Sequence, residues 1–132
     1  MTRKSSATRI LRTFTFIAFL SISFSGAWAQ EIPTDETNIS NGKSLFNANC
    51  KACHSVQNQL VGPALKNVYD RTPSIDWIYS FVKNSQKVIQ SGDEYAVALY
   101  NEFNQTEMTS FDSFSDEEIL DILAFIKNET DI

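Results

Sequence analysis

An all-α domain of about four to five helices is the fold this sequence predicts, and three observations predict it. Apolar residues recur at intervals of three and four in four separate segments. No run of alternating apolar and polar residues is long enough for a strand. Helix-start chemistry precedes the segments: Thr72-Pro73, Asp93, and Ser115 with Glu118 three residues on. The chain has 132 residues and is 42% hydrophobic, which suits one domain with one core.

Residues 1–29 read as a segment apart from that domain. Arg3, Lys4, Arg9 and Arg12 form a basic start, and "FTFIAFLSISF" follows, too short to cross a bilayer, which takes about 20 residues. "GAWAQ" then offers Ala27 and Ala29 as the small residues of a cleavage site. This is the pattern of a cleaved Sec-type signal peptide; an uncleaved N-terminal anchor is the alternative. The absence of an Arg-Arg pair disfavours the twin-arginine route. Residues 30–37 read as a short linker, and 38–132 as the domain.

The first helix is expected in "NISNGKSLFNANCKACH", with Ile39, Leu45, Phe46 and Cys50 on one stripe. Gly42, Phe46 and Cys50 are spaced by four and share a face. A glycine inside a helix costs about 1 kcal/mol against alanine, so close approach of another helix is its expected return. In "TPSIDWIYSFVKN", Thr72 is expected as N-cap and Pro73 as the first helical residue, with Ile75, Ile78 or Tyr79, and Val82 facing inward. In "GDEYAVALYNEF", Asp93 is the cap, and Tyr95, Leu99 and Phe103 repeat every four. The last helix opens on "SDEE", where Ser115 and Glu118 form a capping box and the acidic residues favour the helix dipole. Ile119, Ile122, Leu123 and Ile126 are its core stripe, widened by Leu120 and Phe125.

Charge limits function. The whole chain carries −5. Four basic and no acidic residues lie in 1–29, so residues 30–132 hold 7 basic and 16 acidic residues, a net of −9. A nucleic-acid binder needs a basic patch, so that class is disfavoured. An acidic chain is steered toward a basic partner rather than an acidic one.

"ANCKACHSV", residues 48–56, holds both cysteines and the single histidine of the chain. A Cys50–Cys53 disulfide would close a very short loop and stabilise little. A redox dithiol uses C-x-x-C after a strand, and no strand pattern precedes Cys50. Structural zinc needs four ligands, so a carboxylate would have to join Cys50, Cys53 and His54. C-x-x-C-H is also the attachment sequence for c-type haem. Two thiols on one helical turn reach the two vinyl groups on one porphyrin edge, and the adjacent imidazole lies under the iron. That reading uses all three side chains, and it makes the helices a shell around one covalently bound haem with His54 as iron ligand.

For the sixth position, residues 30–132 contain one methionine, Met108. His/Met ligation is that of electron-carrying cytochromes and raises the reduction potential. A core gap-filler is the other reading of Met108, although "NQTEMTSF" is a polar setting. Lys83 and Lys87 are remoter candidates for the iron.

Taken in order, these residues resemble the class I (monohaem) cytochrome c family over about residues 38–128. Gly42 and Phe46 look like the N-terminal helix pair that packs on the C-terminal aromatic, here Phe125. Cys50, Cys53 and His54 match the attachment motif. "GPAL" resembles the Gly-Pro-x-Leu segment, which implies that the Pro63 carbonyl accepts the His54 Nδ1–H. Arg71 is similar to the arginine that bonds a haem propionate. Met108 with Phe111 resembles Met-Pro-x-Phe, although Thr109 stands where proline is usual. The stretch before Met108 is longer than in the shortest members, so an extra helix is expected there. Trp77 is read as a core position rather than the short members' tryptophan near the propionates.

The resemblance implies an exported, periplasmic electron carrier without a catalytic acid, base or nucleophile. It exchanges electrons with a donor and an acceptor protein, binds no nucleic acid and has no membrane span after signal cleavage. Two alternatives stand beside it. One is the haem subunit of a larger membrane-associated respiratory or dehydrogenase complex. A haem enzyme or gas sensor with a labile Met ligand is the other. Free thiols would instead mark a thiol oxidoreductase.

Overall fold

The computed structural model describes residues 30–130; the basic, apolar start of the chain lies outside them. The described residues contain no strand and six helices. Helix α1, Glu36–Asn49, starts where the Asp35 carboxylate accepts the Asn38 amide at 3.2 Å. Helix α2, Val68–Arg71, is a single turn. Then come α3, Ile75–Lys83, α4, Ser85–Gln90, and α5, Glu94–Glu102. Helix α6, Asp116–Thr130, closes the described chain.

The frame is the packing of α1 on α6. Gly42 and Phe46 are the buried residues of α1. A Cβ at Gly42 would collide with the Asp121 carbonyl group and come within 2.9 Å of the Ile122 nitrogen. The two backbones therefore touch where the sequence places a glycine. One turn on, Phe46 and Phe125 stack at a tilt of 52°, with centroids 5.2 Å apart. Asn38 Nδ2 donates to Asp121 Oδ1 beside that contact. Ile119, Leu123 and Ile126 of α6 are almost fully buried. Ile32, ahead of α1, is buried in the same core. No helix is long and apolar enough to cross a membrane among the described residues.

The caps follow the sequence with one correction. Ser115 and Glu118 close the capping box in both directions: Glu118 N–H donates to Ser115 Oγ at 3.1 Å, and Ser115 N–H donates to the Glu118 carboxylate at 2.9 Å. Asp93 caps α5 by accepting the Ala96 amide at 2.8 Å. Thr72 does not cap α3. It ends α2, its amide and hydroxyl both donating to the Val68 carbonyl. Ser74 caps α3 instead, its Oγ accepting the Trp77 amide at 3.0 Å. The reason is local: a hydroxyl two residues closer to the first free amides is better placed to accept them. The extra helix expected before Met108 is α5. Helix α4 precedes it, set off from α3 by Asn84, which ends one helix and whose side chain caps the other.

Candidate haem site

The end of α1 runs directly into the cysteine pair. Cys50 caps the helix, its amide donating to the Phe46 carbonyl at 2.9 Å. The chain then turns once more: Cys53 N–H and His54 N–H both donate to the Cys50 carbonyl, at 3.1 and 2.9 Å. Helix geometry carried one turn past α1 thus sets the spacing of Cys50, Cys53 and His54. Both thiols are unbridged. No group of three or more Cys, His, Asp and Glu converges with metal-site geometry among the described residues. The zinc reading therefore gains no fourth ligand.

The following loop folds back over this turn. Gly62 N–H donates to the Cys53 carbonyl at 2.9 Å, Leu65 N–H to Ser55 at 3.0 Å and Lys66 N–H to Val56 at 2.8 Å. That return brings the Pro63 carbonyl 3.0 Å from His54 Nδ1, which donates to it. With the proton fixed on Nδ1, the Nε2 lone pair is left for a metal. Gly62 allows the approach. A Cβ there would sit 2.8 Å from His54 Nδ1 and 3.0 Å from Nε2, too close for any side chain.

His54 lines a cavity of about 420 Å³, within the range of roughly 300–1,000 Å³ usual for cofactor sites. Cys50, Cys53, Pro63, Arg71 and Met108 line the same cavity. All six site residues expected from sequence therefore meet in one place. The remaining wall is mostly apolar: Ile78, Phe81 and Val82 of α3, Leu99 of α5, and Ile119, Ile122 and Leu123 of α6. Arg71 donates from Nη2 to the Ala64 carbonyl, which anchors the guanidinium beside the returning loop. Burial pushes the Cys50 thiol up to about 11, so Cys50 is neutral at ordinary pH and sits in an apolar surround. Lys83 pairs with Asp116 at 2.6 Å, which engages its amine away from any iron. An imidazole whose Nδ1 is engaged, a thioether, two thiols and an apolar slot form a donor set suited to haem c.

Three residues of the site were not legible as such. In the sequence Gly62 stands out only as part of "GPAL"; its contact with the imidazole depends on the loop return. Trp77 lines the cavity rather than lying wholly in the core. It stacks on Phe81 with centroids 4.7 Å apart, meets Tyr95 edge-on at 5.1 Å, and donates from Nε1 to Asp93 at 3.1 Å. Ser85 also lines the cavity and is fully buried. No local pattern in the sequence marks Ser85.

Comparison with known proteins agrees with this geometry. The family model described as Cytochrome c matches residues 39–130. Cytochrome c-551 of Ectopseudomonas mendocina is 53% identical over 36 residues, covering 26% of this chain and 44% of that protein. The match thus spans less than half the length of that relative. The solved cytochrome c of Rhodothermus marinus superposes with a TM-score of 0.64 at 27% identity, covering 77% of this chain and 84% of its own. An engineered form of the Rhodothermus protein bound to a carbene intermediate gives 0.64 at 25% identity, covering 78% and 86%.

Proposed function

From the premise that the chain belongs to the cytochrome c family and carries covalent haem c, we propose that it is an exported, periplasmic carrier of single electrons with His/Met-ligated iron. One observation carries the reading: a single apolar cavity gathers both thiols, the imidazole and the methionine. When bound, the haem supplies a one-electron couple. The chain's own residues do the rest. Cys50 and Cys53 would hold the haem as thioethers. The Pro63 carbonyl fixes the His54 ring and tautomer, leaving Nε2 for the iron. Met108 offers a soft neutral sulfur from the facing loop. Arg71, anchored at the Ala64 carbonyl, would meet the negative propionates. The apolar wall would exclude water from the bound group, which would help set its potential.

The partners are a redox donor and a redox acceptor protein. A second reading, the haem subunit of a larger complex, is favoured by Leu60 and Val61. These are the exposed large hydrophobics of the described residues, at 51% and 57%, and they sit on the loop that covers His54.

The test is spectroscopic. Acid–acetone extraction should leave the haem on the protein; its release would defeat the covalent reading. The oxidised protein should show the weak near-infrared band of sulfur–iron ligation. Met108→Ala should abolish that band, lower the potential and open the iron to carbon monoxide. An unchanged spectrum would remove Met108 from the site.

A further inference from the structure

Ser85 is the most deeply buried polar side chain among the described residues, with no exposed surface. A hydroxyl buried to that degree is retained where it is hydrogen-bonded. It does not cap its own helix, since Asn84 performs that task by accepting the Lys87 amide at 3.0 Å. Ser85 Oγ–H instead crosses to another segment and donates to the Met108 carbonyl at 3.2 Å.

The Met108 segment needs such a fastening. Residues 106–110 have no regular secondary structure. The chain enters them through Asn104 and Gln105, two consecutive non-glycine residues with φ of 55° and 59°. That left-handed backbone is unfavourable for residues that carry a Cβ. The chain leaves at Phe111, whose amide is shared between the Val82 and Lys83 carbonyls at 3.2 and 3.1 Å. Between the Thr106 and Phe111 amides, Ser85 provides the hydrogen bond that reaches the loop backbone, among the described residues. Thr109 adds no ring to stiffen the segment.

We propose that Ser85 is the positioning residue of the distal ligand. By holding the Met108 carbonyl against the start of α4, it keeps the methionine sulfur in the cavity and substitutes for a stiffer backbone at position 109. The inference rests on the reading of Met108 as iron ligand. Because the bond goes to the main chain, its loss loosens the loop without altering the ligand itself.

The experiment uses the holoprotein and the variant Ser85→Ala, which removes the hydroxyl and leaves the volume nearly unchanged. Carbon monoxide should bind the reduced variant about tenfold faster, the equivalent of about 1.4 kcal/mol less hold on the sulfur. On heating, the near-infrared band should vanish well below the temperature at which the helices unfold, whereas both should go together in the unsubstituted protein. Ser85→Thr, which restores the hydroxyl, should recover both properties. A merely structural serine would lower the helix unfolding temperature and keep the two losses coincident. A band present in the unsubstituted protein, with carbon monoxide binding and band loss unaffected by Ser85→Ala, overturns this proposal alone. Absence of the band in the unsubstituted protein overturns the ligation reading, and the proposal falls with it.

Discussion

At Gly62 the space available to one atom decides whether the imidazole can be held. The loop crosses His54 so closely that a Cβ would stand 2.8 Å from Nδ1, the nitrogen that donates to Pro63. Neither neighbour can yield cheaply. The ring is fixed by its hydrogen bond, and the loop by the Gly62 amide on the Cys53 carbonyl. Gly62→Ala should therefore displace the ring, weaken the Pro63 bond and lower the yield of low-spin holoprotein. The check is the haem spectrum of the variant beside that of Pro63→Ala, whose carbonyl remains in the chain. A normal spectrum and potential in Gly62→Ala would show that the loop gives way instead. The attachment motif was readable because its chemistry is local: three side chains in five residues, with a fixed reach. The roles of Gly62 and Ser85 were not, because each acts on a residue distant in sequence. Ser85 lies 23 residues from Met108, and no periodicity encodes that contact.

Elements were legible where one stretch of chain holds both halves of the signal. The α6 capping box is such a case, with Ser115 and Glu118 each satisfying the other. The start of α3 is ambiguous in the sequence because two hydroxyls flank Pro73 and either could cap; only the fold shows that Thr72 ends α2 and Ser74 caps α3. The α1–α6 contact was anticipated from Gly42, and the structure sharpens the expectation. A Cβ there meets backbone, which cannot rotate away. Gly42→Ala should already destabilise, and Gly42→Val should cost on the order of 1–3 kcal/mol, read as a lowered urea midpoint. An unchanged midpoint would mean that the helices can slide apart at no cost. Where α3 meets the start of α6, Tyr79 gives a second prediction. Its hydroxyl is buried without a hydrogen-bond partner among the described residues. Desolvation first, then Asp116, Asp76 and Glu117, push the phenol from 10.0 up to about 12. The unfolded chain therefore ionises this group before the folded one does. The contribution to stability is whole below pH 10 and is lost as pH rises from 10 through 12. Tyr79→Phe should be neutral or stabilising at pH 7, by up to about 1 kcal/mol, and should flatten the alkaline limb of the stability curve. A variant that loses stability at pH 7 and keeps the alkaline slope would show that the hydroxyl is satisfied in solution.

Over the whole molecule, charge is divided rather than spread. Residues 30–132 carry a net −9, yet no Asp or Glu occurs between Thr37 and Tyr69, while Lys43, Lys51 and Lys66 do. That acid-free stretch contains the attachment turn and the loop that returns over it. Lys66 is tied to Val56 within this fold, and Arg71 is anchored at Ala64 beside it. The exposed Leu60 and Val61 lie on the same loop. At the edge of this stretch Gln57 donates to the Glu129 main-chain carbonyl at 2.7 Å, which ties it to the end of α6. Two electrostatic effects then oppose each other. The net charge alone favours a basic partner at long range, but it is screened over about 8 Å at physiological salt. The lysines of the acid-free stretch carry the opposite sign. A partner that docks over Leu60 and Val61 should therefore show an electron-transfer rate that changes little with salt, because screening weakens both effects together. The same docking should be sensitive to the apolar pair. Leu60→Asp or Val61→Asp should slow transfer about tenfold or more, the equivalent of about 1.4 kcal/mol or greater in docking energy. Charge reversal at an acidic residue outside this stretch, as in Glu94→Lys, should leave the rate near its starting value. Stopped-flow transfer to the native partner over a salt series, with these three variants, separates the alternatives. A rate that falls steeply with salt, together with full activity in Leu60→Asp, would place docking on the acidic side and identify a basic partner.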